Sequence, residues 1–239
     1  MASEFTLNEQ KSSGRLVHRL CVLLVCLVWP LIWVGGLVTT YDAGMAVPDW
    51  PGTYGYNLFL YPYKTWLLGP FDLFIEHGHR LLGAVVGLVA IATVISAYFK
   101  EARRWVFVLT IGLLVAVITQ GLLGGMRVVL GDRTLAMVHG CFGPAFFALC
   151  AATAVITSHR WQEYLSRDGS IRVGSGLVAL FATIPVLSYS QLVLGAQLRH
   201  VQPNAAPGVF AMIVATHVIV AFLLWLFTVV AWLKIRRCG

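Results

Sequence analysis

Six long apolar runs alternate with short polar stretches along the chain. They extend over residues 20–40, 81–99, 105–126, 135–158, 173–198 and 208–233. A helix needs about 20 apolar residues to cross the hydrocarbon core of a bilayer, and every run is near that length. None shows the alternating segments of about 10 residues that are typical of a membrane β-barrel. The pattern predicts an all-α, polytopic membrane bundle of about six transmembrane helices.

Composition supports this interpretation. The 239 residues are 59% hydrophobic and 11% charged, with a mean hydropathy of +0.81, whereas about 25% of the residues of a soluble domain are charged. Lysine and arginine are concentrated at one set of span ends, which places both termini in the cytoplasm of a multi-pass protein of the cytoplasmic (inner) membrane. The net charge of +7 is therefore mainly a topological signal, and we expect no nucleic-acid partner.

The spacing of the runs divides the chain into three parts. Residues 1–19 are predicted to be a cytoplasmic polar tail, and 20–160 a four-helix bundle with an extracytoplasmic loop at 41–71. Residues 173–239 hold two further helices. The loop has no clear secondary-structure pattern. Its aromatic residues suit interfacial anchoring, but a loop of about 30 residues is long enough to favour a functional lid. The spacing of the five cysteines does not predict a disulfide framework, and no C-x-x-C motif occurs.

Ionisable side chains cluster at the extracytoplasmic side. The stretch "FIEHGHRLLG" carries Glu76, His79 and Arg80 at i, i+3 and i+4, so they share one helix face. His139 and His217 lie at similar depth in the fourth and sixth spans. An ionisable residue inside a span costs about 2.5–3.5 kcal/mol, so such a set usually has a function. A single histidine there is equally explained as an interfacial imidazole.

Histidines on facing helices are suited to holding a low-spin haem. Zinc is a poorer fit, because no cysteine or H-E-x-x-H motif accompanies them. Gly83, Gly87 and Gly143 either let helices approach closely or leave room for a flat macrocycle. The planar guanidinium of Arg80 suits a haem propionate, and pairing with Glu76 one turn away is the alternative.

The combined motifs resemble the haem A synthase family. "IEHGHRLLG" resembles its E-x-x-H-R signature, and "GGLVTTYDAGMAVPDWP" resembles its first extracytoplasmic segment. "QGLLGGMRV" resembles its third helix, and His139 occupies the place of its fourth-helix histidine. The resemblance is clearest over residues 30–150. The cysteine pair of many members is absent, which marks a subtype.

The resemblance implies eight helices in two four-helix halves, with haem b in the C-terminal half and the substrate haem O in the N-terminal half. The implied reaction oxidises a methyl group of haem O to a formyl group, giving haem A for terminal oxidases. Carried over, Glu76 is the catalytic carboxylate, His79 and His139 bind haem iron, and Arg80 is a propionate or structural partner. His217 is the expected haem ligand of a two-helix remnant of the second half, paired with His200 or with a second chain.

A short repeat leaves the register of that remnant open. Gln191 and Gly195 align with Gln120 and Gly124 of the third span, but Gly195 aligns equally with Gly36 of the first.

Two other functions compete with the enzyme: a b-type cytochrome that only transfers electrons, and an assembly subunit whose histidines are merely buried. Besides haem O, haem A and membrane lipid, the expected partners are an electron donor (quinol or reductase) and haem O synthase or terminal oxidase assembly factors. A second copy of the chain, forming a homo-oligomer, is a further candidate partner.

Overall fold

The computed structural model describes residues 2–166, 174–201 and 205–238, with side chains from Gly14 onward except at Pro207 and Cys238. The described residues form eight α-helices and one short 3-10 helix, with no β-strand. The helices are α1 (Ala2–Thr40), α2 (Tyr63–Leu68), α3 (Phe71–Lys100), α4 (Arg104–Leu130), α5 (Arg133–Thr157), α6 (His159–Ser166), α7 (Ser175–Arg199) and α8 (Pro207–Cys238). The all-α fold class is therefore confirmed.

Six of these helices are long and apolar enough to cross a membrane, as the sequence predicts. The spans are Gly14–Thr40, Phe71–Lys100, Arg104–Leu130, Arg133–Thr157, Ser175–Arg199 and Gly208–Arg237. The boundary expected at residues 19 and 20 falls inside α1, which is continuous from Ala2. Helix α3 begins ten residues before its apolar run, and within this stretch Glu76, His77 and Arg80 are paired and largely buried.

The N-terminal unit, residues 1–167, is a four-helix bundle. Helix α1 packs on α3 and α5, and α4 packs on the same two helices. The four long helices thus form a closed ring in which α3 and α5 stand diagonally opposite each other. An apolar core fixes this ring, with Leu24 and Val28 of α1, Val86 of α3, Leu113 of α4 and Phe146 of α5 at its centre.

The C-terminal unit, residues 168–239, is described by α7 and α8, which pack against each other. Both helices are long and apolar enough to cross a membrane and keep few side chains buried. No disulfide joins the cysteines whose side chains the structure describes.

The segment between α1 and α3 is more ordered than its sequence pattern predicts. It contains a 3-10 helix at Ala43–Met45 and the short helix α2, so the expectation that it lacks secondary structure is wrong. Ala43 packs with Val38 of α1 and Ile75 of α3 in a small buried cluster. The loop therefore has its own core contacts at one end of the bundle, called the loop end below.

Candidate functional site

His79 of α3 and His139 of α5 face each other across the middle of the bundle. Their ring centroids are 6.3 Å apart and the rings are nearly perpendicular, at 84°. Both side chains are half-buried. Because α3 and α5 stand diagonally opposite each other in the ring, side chains of these two helices can meet through its centre.

Helix α4 fixes the orientation of His139. The ring Nδ1 lies 3.2 Å from the backbone carbonyl oxygen of Gln120, and the Gln120 amide donates to the His139 carbonyl at 3.0 Å. Gly124 sits one turn later, where a Cβ atom would be 3.0 Å from His139 Cε1. With the Nδ1 proton donated to a carbonyl, Nε2 is left as the unprotonated nitrogen, which is the usual tautomer of a metal-binding histidine.

Helix α1 supports His79 in a similar way. A Cβ atom at Gly35 would be 2.9 Å from His79 Cε1, so the imidazole lies directly on the glycine. The Nδ1 atom of His79 is buried and has no hydrogen-bond partner among the described residues. This nitrogen lies 3.4 Å from the Cβ position at Gly35, so it is on the α1 side of the ring.

The glycines next to His79 leave open space on its helix face. A Cβ atom at Gly83 or Gly87 would meet nothing within 4 Å, whereas one at Gly143 would be 3.3 Å from the Gln120 amide nitrogen. The first two positions therefore agree with the expected room for a flat macrocycle. Gly143 instead allows close packing of α4 on α5.

These residues fit a haem with two axial imidazoles. Two metal–imidazole bonds of about 2.0–2.1 Å span about 4 Å end to end, which the 6.3 Å between the ring centroids accommodates. Among the described residues, no three His, Cys, Asp or Glu side chains converge on one point. A haem iron requires only two protein ligands, because the four nitrogens of the macrocycle supply its other ligands.

Glu76 and Arg80 hold the loop segment 47–52 onto α3. Glu76 is 1% exposed; its Oε2 accepts the Val47 amide at 2.8 Å and its Oε1 accepts Arg80 Nη2 at 2.7 Å. Arg80 also donates to the carbonyls of Val47, Asp49 and Gly52, at 2.6, 2.6 and 3.0 Å. Of the two expectations for Arg80, the structure therefore shows the pairing with Glu76.

Comparison with known protein families is consistent with this site. Residues 69–206 match the family COX15-CtaA, described as cytochrome oxidase assembly protein. The chain belongs to this family. The match includes Glu76, His79, Arg80 and His139, and it confirms the resemblance to haem A synthases drawn from the sequence. No curated protein and no solved structure matches the chain.

The C-terminal unit carries the third histidine of the set. His217 of α8 lies against α7, where the Gln191 amide nitrogen is 3.1 Å from its Nε2. A Cβ atom at Gly195 would be 3.3 Å from His217 Cε1. The Nδ1 atom of His217 is buried without a partner among the described residues. His200 ends α7, where its backbone amide donates to the Ala196 and Gln197 carbonyls.

The loop is held at two further points that sequence reasoning missed. His77, expected to point away from the His79 face, is 1% exposed and lies 2.9 Å from the Thr53 hydroxyl. The Trp50 indole lies on α4 so closely that a Cβ atom at Gly125 would overlap it. The adjacent glycines of "QGLLGGMRV" were the available signal, since two small residues in succession offer two helix faces for close contact.

The loop also contains a charged turn. The Asp49 carboxylate accepts the backbone amides of Tyr54 and Gly55 at 2.7 and 2.9 Å. Partial burial alone would raise the pKa of Asp49, but these two amides together with the Arg80 charge lower it below its ordinary value. The turn thus favours an ionised Asp49 directly beside the carbonyls that Arg80 binds.

Proposed function

We propose that this cytochrome oxidase assembly protein is a haem A synthase-type membrane oxidoreductase, which oxidises a methyl group of haem O to a formyl group. The facing His79–His139 pair is the observation that carries the proposal. Glu76 lies one helical turn from His79 toward the loop end, so a carboxylate, two imidazoles and open space occur together in one bundle.

The chain's own residues would bind and orient the substrate. His79 and His139 would hold the haem iron, with His139 fixed in its tautomer by the Gln120 carbonyl. The haem, when bound, supplies the oxidising chemistry, which side chains cannot. The loop end would face the extracytoplasmic side, as the distribution of lysine and arginine indicates.

Glu76 would accept a proton released from the reacting methyl group. Both of its oxygens already accept hydrogen bonds, one from the Val47 amide and one from Arg80. A proton that binds Oε2 at the position of the Val47 amide would displace that amide. Oε1 would keep its hydrogen bond from Arg80, but the neutral carboxyl group would no longer form an ion pair with it. Proton transfer would then be coupled to a small opening of the 47–52 segment, which otherwise shields the carboxylate from water.

His217 would bind haem b in the C-terminal unit, with His200 or a second chain supplying the other ligand. The contact of His217 with Gly195, which repeats that of His79 with Gly35 and of His139 with Gly124, supports this role. The remaining partners follow from the reaction: an electron donor, either a quinol or a reductase, together with haem O synthase or terminal oxidase assembly factors.

A b-type cytochrome that transfers electrons without modifying haem is the second candidate. The bonding of Glu76 favours it, because a carboxylate that holds Val47 and Arg80 has a structural reason to be present. The two functions differ in whether haem A is formed, and not in whether haem is bound.

The Glu76→Ala variant separates the two functions. In cells that supply haem O, we expect the variant to retain haem in the purified protein but to form no haem A, measured by extraction and chromatography of the pigment. Thr53→Val is the matched control, since it breaks the Thr53–His77 contact of the same loop without touching the carboxylate. We expect this control to keep most of the haem A yield.

Two results would contradict the catalytic role of Glu76. If Glu76→Ala still forms haem A, the carboxylate is not catalytic. If Thr53→Val loses as much haem A as Glu76→Ala does, the loop rather than the carboxylate explains the loss. Wild-type protein that binds haem b but never yields haem A would favour the cytochrome.

A further inference from the structure

Arg127 of α4 lies on the helix face that holds His139. It follows Gln120 by seven residues and Gly124 by three, so the three positions form one stripe. At 1.5 Å per residue, Arg127 is about 4.5 Å farther toward the loop end than Gly124. Gly44 of the loop covers the guanidinium: a Cβ atom there would be 2.5 Å from Nη1 and 3.2 Å from Nη2.

The positive charge of Arg127 is not compensated within the described part of the chain. Both Glu76 oxygens bond to Val47 and Arg80. The Asp49 carboxylate accepts amides of its own turn. No hydrogen bond or ion pair to the Arg127 guanidinium occurs among the described residues, although the side chain is partly buried.

A partly buried guanidinium with no acceptor is unfavourable near the end of a membrane span. Its planar fork of donors matches a carboxylate better than any other common anion except phosphate. Arg127 lies one turn from Gly124, whose Cβ position is 3.0 Å from His139 Cε1, so the two side chains lie on the same side of α4. An anionic group held there would therefore belong to a ligand that also lies between the histidines.

We propose that Arg127 binds a propionate carboxylate of the haem held by His79 and His139. This inference rests on the proposed haem site and assigns its anion-binding residue. It gives Arg127 the role that the sequence suggested for Arg80, whose two terminal nitrogens are engaged by Glu76 and three loop carbonyls.

Haem and haem dimethyl ester, in which both propionates are neutral, test the assignment directly. The full chain is purified in detergent without haem and titrated with each compound by absorbance. We expect Arg127→Gln to weaken haem binding by about tenfold to a hundredfold, the usual effect of a charge-assisted hydrogen bond. Binding of the ester should not change, because it offers no carboxylate to lose.

Two further variants control for charge and for folding. Arg127→Lys keeps the charge but not the fork and should give an intermediate loss for haem alone. Arg133→Gln removes an exposed charge at the loop end of α5 and should change neither titration. Each variant is compared with the wild type as the ratio of haem affinity to ester affinity, so a general loss of stability cancels.

The outcomes separate this inference from the proposed function. Wild-type protein that binds neither compound would overturn both. Wild-type protein that binds haem, with an unchanged haem-to-ester ratio in Arg127→Gln, would overturn only the role of Arg127. The same unchanged ratio with loss of co-purified anionic lipid, measured by mass spectrometry, would identify a lipid phosphate as the partner and also overturn it.

Discussion

The N-terminal and C-terminal units share one structural module and use it differently. In each case a histidine lies on a glycine of the preceding transmembrane helix. The ideal Cβ position of the glycine is 2.9 Å from His79, 3.0 Å from His139 and 3.3 Å from His217. The N-terminal unit contains two such helix pairs, and the described part of the C-terminal unit contains one. The module thus positions a single imidazole, and a facing pair requires two modules.

The glutamine of the Q-x-x-x-G motif makes different contacts in the two units. In α4, the Gln120 backbone carbonyl lies at hydrogen-bond distance from the His139 ring, while its side chain binds the His139 backbone. In α7, the Gln191 side chain contacts the His217 ring itself, at Nε2. Both neutral imidazoles therefore carry their proton on Nδ1. At His139 this proton is donated to a carbonyl and Nε2 is left free, whereas at His217 the Gln191 amide occupies Nε2 and Nδ1 has no partner among the described residues.

The largest effect should follow from removing a histidine of the facing pair. We expect His139→Ala to lower the haem-to-protein ratio of the His79–His139 site by about a hundredfold or more, since second-shell changes alone cost 10–100-fold in metal affinity. His217→Ala should leave that signal in place. The measurement is a reduced-minus-oxidised spectrum of the purified variants, with quantitative pigment extraction.

His159→Ala is the control for this comparison, because His159 lies on the exposed surface of α6. It should retain the wild-type haem content. An equal loss of haem in His139→Ala and His217→Ala would contradict the view that the facing pair of the N-terminal unit binds haem by itself.

Much of this comparison could be predicted from the sequence. Hydrophobic run length determines the six spans, and the polar residues within a span stand out because each is costly there. The common face of Glu76, His79 and Arg80 follows from helical spacing alone. The alignment of Gln191 with Gln120 was visible, but not the different contacts of the two side chains, which depend on small shifts between packed helices.

The role of Arg80 and the position of Arg127 could not be predicted. Arg80 binds carbonyls about 30 residues earlier in the chain, and these come within reach only through the conformation of the loop. Arg127 directly follows the apolar run of the third span, where a charge is usually explained as a flanking residue. Helical spacing places Arg127 on the Gly124 face of α4. That the loop covers its guanidinium at Gly44 is visible only in the structure.

An intermediate effect should follow from adding a methyl group to the supporting glycines. Gly35→Ala and Gly124→Ala place a Cβ atom within about 3 Å of an imidazole, so the ring must move. We expect a loss of haem affinity of roughly tenfold and a shifted midpoint potential in each. The Cβ atom of Gly195→Ala would be 3.3 Å from His217 Cε1. Because it has more room, we expect a smaller loss of haem affinity at the His217 site.

Gly121→Ala is the matched control for the glycine series. It lies one turn from Gly124 on the same helix, and its Cβ atom would meet nothing within 4 Å. Alanine is also the better helix former, by about 1 kcal/mol, so the control should be at least as stable as the wild type with an unchanged spectrum. A control that loses as much haem as Gly124→Ala would mean that helix packing, and not the contact with the imidazole, is being measured.

The smallest effect should be a pH dependence of the stability of the 49–55 turn. This turn belongs to the loop of the N-terminal unit. Burial opposes ionisation of Asp49, but the Gly55 and Tyr54 amides outweigh it and hold its pKa below the ordinary 3.8. A lowered folded-state pKa means that the ionised carboxylate stabilises the turn. This contribution is complete above the ordinary value and is lost as the pH falls below 3.8 through the lower folded-state pKa.

Hydrogen exchange of the Tyr54 and Gly55 amides, corrected for the intrinsic rate at each pH, measures this effect. Protection should fall roughly two- to fivefold between pH 5 and pH 2.5, because an exposed hydrogen-bonded carboxylate contributes less than about 1 kcal/mol. Asp49→Asn should show the lower protection at both values. Equal pH dependence in that variant would assign the change to another group, while wild-type protection that stays constant would mean that the Arg80 contacts alone hold the 47–52 segment over the site.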